Sequence, residues 1–176
     1  GVVCRGAIVK GMCYHNNNVV FGPAVNEAYR LESKKSENPR IIIEKSVLRA
    51  GVEYHARHNS PEGEKESIRS LVALDDSDDW YFLNYFSNAP SETSSTYEEL
   101  VYILTLKQVI ETGLSEKDEK VFKKYQWMRL QFNQQFKDTL DPNNIQRMRN
   151  DLPELEEIID KITAIEDIQL HDTPDT

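Results

Sequence analysis

The chain has 176 residues, 39% hydrophobic and 29% charged, with a formal net charge of −9. That length supports a buried core, and the short apolar runs exclude a membrane-spanning helix. The acidic balance excludes general nucleic-acid binding as a leading role.

Residues 2–10 (VVCRGAIVK) predict a buried strand, and residues 12–21 (MCYHNNNVVF) a second, with HNNN as a turn or bulge. Gly22-Pro23 then opens a helix reaching about Lys34, with Pro at its first position and Val25, Ala28 and Leu31 facing inward. PRIIIEK reads as a third strand, and SVLRAGVEYHARHN as a short helix with Gly51 its weak point. HNSPEGEKES reads as a polar loop, and SLVALDDSDDWYFLNYF as a β-hairpin around an acidic turn.

The remainder reads as helical. STYEELVYILTLKQVIETG begins with a capping box of Ser95 and Glu98 and is expected to end at Gly113. The next helix carries a stripe of Val121, Tyr125, Met128 and Phe132, and the one after starts from Asp141 and Pro142. After Pro153, the spacing of Leu155, Ile158, Ile159, Ile162 and Ile165 predicts one more amphipathic helix, packed within the chain or against a partner. The expected organisation is an α/β module over residues 1–88, a linker at 89–95, a helical region at 96–170 and a disordered tail at 171–176.

Several motifs weigh toward structure rather than chemistry. Cys4 and Cys13 have no metal or disulfide spacing and read as reduced thiols of a cytoplasmic protein. No signal peptide is apparent at GVVCRGAIVKG. A calcium loop starting at Asp75 would need Gly and Glu where Trp80 and Phe86 stand, so DDSDDW is an acidic turn. His55 and His58 could share a helix face but lack a third ligand nearby. Trp80, Trp127 and the tyrosines suit core or interface positions better than base stacking.

Asn26 and Arg30 are different. Four residues apart, they lie one above the other on a helix face, straight after a turn. They also belong to the basic part of the chain: residues 1–58 hold nine Lys/Arg and five Asp/Glu (+4), against twelve and twenty-five (−13) in residues 59–176. An anionic ligand would be welcome there.

The order RGAIVKG, VFG, AVNEAYRLE and PRIII resembles the class III nucleotidyl cyclases, in which an Arg-x-Gly-Ile strand, a hairpin, an aromatic-Gly turn and an Asn-x-x-x-Arg helix follow one another. The Gly-Pro turn, the DDWYFLNYF hairpin and the KYQWM helix are similar, more loosely, to the bacterial pyrimidine cyclases of the Pycsar antiphage defence system. The resemblance implies a ferredoxin-like cyclase module lacking its first elements, with residues 1–88 as the C-terminal part of the catalytic domain. It implies that Arg30 stabilises charge on the α-phosphate and that Asn26 orients the ribose for in-line attack. The implied products are cyclic UMP or cyclic CMP plus pyrophosphate, made as an antiphage signal in the cytoplasm.

Three departures from the purine cyclases sharpen the expectation. Their base-reading lysine and acidic or polar residue correspond here to Val3 and Val19, which cannot pair with a purine edge; this agrees with a pyrimidine substrate. The family's metal-binding aspartates precede the Arg5 strand, and Asp75, Asp76, Asp78 and Asp79 come too late in the order to replace them. A late hairpin that carries a phosphate-contacting lysine in the family is acidic here. Mg²⁺ or Mn²⁺ is therefore expected on ligands upstream of Gly1, in a homodimer of a longer protein, with no nucleic-acid or membrane partner. The alternative is a degenerate cyclase-like domain that binds nucleotide or a partner without turnover. A helical interaction module resting on residues 95–168 is a third expectation.

Overall fold

A strand-forming run, a Gly-Pro-initiated helix and a second β-branched run build the first part of the computed structural model, which describes residues 3–54, 58–86 and 95–168. The chain is mixed α/β and divides into two units, residues 2–85 and residues 86–176.

In the first unit, β1 (Gly6–Ile8) leads through the hairpin strands β2 (Tyr14–His15) and β3 (Val20–Phe21) into α1 (Pro23–Lys35), then to β4 (Ile41–Ile43). β1 and β4 are parallel neighbours, with Gly6, Ala7 and Ile8 opposite Ile41, Ile42 and Ile43. After α2 (Lys45–Glu53) and α3 (Pro61–Leu71), β5 (Val72–Asp75) and β6 (Trp80–Leu83) form an antiparallel hairpin that completes the sheet in the order β1-β4-β6-β5. The register sets Ala7, Ile42, Phe82 and Ala73 in one row, and Ile42 and Phe82 have no exposed surface.

Three expectations change in this unit. The first strand shrinks to Gly6–Ile8. The second becomes a hairpin, because the Asn16 carboxamide oxygen accepts from the amides of Asn18 (3.0 Å) and Val19 (2.9 Å) and closes a turn within HNNN. The polar loop at SPEGEKES is instead helix α3. Ser60 caps it by accepting from the Gly63 amide at 3.0 Å, Pro61 stands at its start, and Glu62 and Glu64 complement the dipole.

A buried cation was not foreseen. Arg40, just before β4, is 1% exposed and pairs with Asp75 and Asp78 of the β5–β6 turn. Asp75 in turn accepts from the Ser77 amide (3.0 Å) and hydroxyl (2.6 Å), and the Arg40 carbonyl accepts from buried Ser36 at 2.7 Å. Two of the turn's four carboxylates are thus paired with one buried cation.

The second unit contains α4 (Thr96–Leu114), α5 (Glu119–Gln135), α6 (Pro142–Asp151), a 3-10 turn at Pro153–Leu155 and α7 (Glu156–Ile159). Ser95, Asp118 and Asp141 cap the first three helices with side-chain oxygens. Ile103, Ile110 and Leu114 meet a core that includes Met128, Phe132, Phe136 and Ile159, all without exposed surface. The Trp127 ring stands edge-on to Phe86 at 5.8 Å.

Gly113 does not terminate α4, which continues to Leu114. Its purpose is close approach: a Cβ there would lie 2.2 Å from the Tyr125 ring. Gly113→Ala should therefore cost about 1–3 kcal/mol through overpacking. A urea midpoint equal to that of the parent would refute the contact.

The final amphipathic helix is also shorter than its periodicity predicts. Among its described residues only Glu156–Ile159 is α-helical, and residues 162–168 are irregular although Ile162 and Ile165 are buried. The Asn133 side chain takes both backbone groups of Ile165, which competes with helical pairing there. No described helix is long and apolar enough to cross a membrane. The tail at 171–176, His55 and most of the 89–95 linker lie outside the described residues.

Candidate functional site

The helix carrying Asn26 and Arg30 is set by its entry. Gly22 adopts φ 140°, and a Cβ there would stand 2.7 Å from the Met12 carbonyl oxygen, so the turn requires glycine. The same carbonyl accepts from the Ala24 amide at 3.2 Å, tying the start of α1 to the strand side of the hairpin. Inward, Leu31 is 2% exposed and Val25 and Ala28 are half-buried. The opposite face is left for polar groups, and Asn26 and Arg30 are both exposed on it.

Arg30 is not idle. Its Nε donates to Glu27 Oε2 at 2.8 Å and its Nη2 to Oε1 at 2.5 Å, a two-point fork one helical turn long. Hydrogen bonding by Arg30 holds the Glu27 carboxyl below its ordinary range, and the same contact raises Arg30 above its own. The pair's small contribution is complete above the unfolded carboxylate's pKa and is lost only as pH falls through the depressed value. Glu27 was missed in the sequence, although its i,i+3 relation to Arg30 is legible there.

The two stretches that carry the family resemblance touch. Arg5 Nε donates to Glu32 Oε1 at 2.6 Å, and Ser33 donates to Glu32 Oε2 at 2.9 Å. Ser33 first, then Arg5, holds the Glu32 carboxyl below its ordinary range. This joins the segment leading into β1 to the C-terminal part of α1.

The expected base-pocket positions occupy separate places. Val3 is half-buried ahead of β1, whereas Val19 closes the hairpin turn with its side chain 48% exposed. Neither offers a polar side-chain atom. The Asp75–Asp79 cluster is unsuited to a divalent metal, because Asp75 is committed to Arg40 and Ser77. Among the described residues no group of three or more His, Cys, Asp or Glu side chains is placed to hold a metal ion.

The geometry thus assembles an exposed carboxamide and guanidinium on one helix, with a carboxylate occupying the guanidinium. Family models, characterised proteins and solved structures were all compared with the chain, and none matches it.

Proposed function

We propose that residues 2–85 form the Asn/Arg half of a class III-like nucleotidyl cyclase site in a ferredoxin-like module, acting in the cytoplasm on a pyrimidine nucleoside triphosphate. The observation that carries the reading is the placement of Asn26 and Arg30 on the exposed face of the helix joining two parallel strands. In the reaction the ribose 3′-hydroxyl gives its proton to solvent as its oxygen bonds to the α-phosphorus. The bond from that phosphorus to the oxygen bridging the α- and β-phosphates breaks, and pyrophosphate departs with that electron pair. Arg30 offsets charge on the phosphoryl oxygens after exchanging Glu27 for substrate, and Asn26 orients the ribose. Mg²⁺ or Mn²⁺ would be held by ligands outside the described residues, among which no group of three or more His, Cys, Asp or Glu side chains is placed to hold one. A homodimer completes the site in this reading, and the product serves as an antiphage signal.

The test is an incubation of the full-length protein with equal ATP, GTP, CTP and UTP and Mn²⁺, with products resolved by mass. Cyclic UMP or cyclic CMP should exceed cyclic AMP, because the positions that read a purine in the resembled cyclases are Val3 and Val19, neither of which offers a polar side-chain atom. A profile led by cyclic AMP would overturn the pyrimidine assignment. The Glu27–Arg30 fork favours one second reading, nucleotide binding without turnover. Saturable nucleotide binding with no cyclic product would select it.

A further inference from the structure

We infer that the α5 face presenting Gln126, Arg129 and Asn133 is a peptide-docking surface, and that residues 160–168 are its ligand in cis. The partner it fits is an acidic extended segment with Ile at two positions three apart and a carboxylate two residues beyond the second.

The grip on the segment is directed at its backbone. Asn133 Nδ2 donates to the Ile165 carbonyl at 2.8 Å, and the Ile165 amide donates to Asn133 Oδ1 at 2.9 Å. Two turns away, Gln126 Nε2 donates to the Ile168 carbonyl. Between them Arg129 pairs with Asp167 at 2.7 Å and is itself steadied by Gln126 Oε1 at 2.8 Å. Seven helical residues span about 10.5 Å, and three extended residues span about 10 Å. The segment therefore matches the α5 row only when extended and antiparallel to it; a helical segment would advance about 4.5 Å over the same three residues. Ile162 and Ile165, 1% and 3% exposed, supply the side-chain anchors.

Such a carboxamide pairs with any peptide unit, so sequence preference rests on the isoleucine anchors and on the Arg129–Asp167 pair. The same segment has helix-period patterning from Leu155 to Ile165, which its docked form does not use. Local preference and docked conformation disagree, so the docked form is held by its tertiary contacts and not by its own periodicity. A partner segment of the same chemistry would take the seat as the cis segment leaves.

The experiment uses the whole chain and a fluorescent peptide of residues 156–168 as probe. The parent should bind it weakly, because the tethered segment competes at millimolar effective concentration. Ile162→Ser with Ile165→Ser in the chain should tighten binding at least tenfold, and adding Asn133→Leu should abolish the gain. A folded double-serine variant that binds no better than the parent overturns the proposal. Should that variant not fold, hydrogen exchange on the parent decides. Amides of residues 163–168 should open well before those of α5, and exchange only together with α5 refutes a detachable segment. A dimer in solution that Asn133→Leu dissociates would assign the seat to a second copy and overturn the separate partner.

Discussion

Replacing Arg40 by alanine should destabilise the sheet unit by about 3–5 kcal/mol, because it leaves the buried Asp75 carboxylate without its counter-charge. Asp75 is 2% exposed, so water cannot substitute for the guanidinium without opening the β5–β6 turn. Native-state hydrogen exchange at the β4 and β6 amides should show the loss as protection falling by at least about a hundredfold. Arg40→Lys should recover only part of it, since a single ammonium does not reproduce a fork reaching both Asp75 and Asp78. Joint replacement with apolar residues, Arg40→Met with Asp75→Leu, should recover more than either single change. A loss below about 1 kcal/mol for Arg40→Ala would place the pair with ordinary surface bridges.

Arg30→Ala should lower turnover by roughly 10²- to 10³-fold, the effect of removing one preorganised donor from a developing oxyanion. Arg30 is exposed and bonded to a neighbour on its own helix, so its loss should leave the unfolding midpoint nearly unchanged. That separation makes the experiment informative: activity falls while the fold stands. Glu27→Gln should act in the opposite sense on substrate binding, lowering KM by releasing the guanidinium. An Arg30→Ala protein with parental turnover would remove the cation from the mechanism.

How much of this was legible in the sequence depends on how local the cause is. The helix from Pro23 was readable because its turn, its first residue and its apolar spacing are contiguous, and the β5–β6 hairpin for the same reason. Helix α3 hid behind its polarity: among its residues Ile68 and Leu71 are the large apolar ones, so the cap at Ser60 was the signal and the period was not. Arg40 read as a strand flank because its carboxylates lie 35 and 38 positions away. For residues 160–168 the pattern identified the buried side chains but not the backbone, since Asn133, 32 positions earlier, decides that conformation. At the candidate site, Asn26 and Arg30 were visible as a spacing; what that spacing meets depends on the surrounding surface.

The distance in sequence between Asn133 and Ile165 also bears on biosynthesis. On the ribosome, α5 is synthesised ahead of residues 162–168 and leaves first, so its polar row emerges uncovered. During that interval a nascent chain presents the seat to chaperones or to another polypeptide before its own segment can claim it. Translation rate between Asn133 and Ile168 thereby sets how long the vacancy lasts.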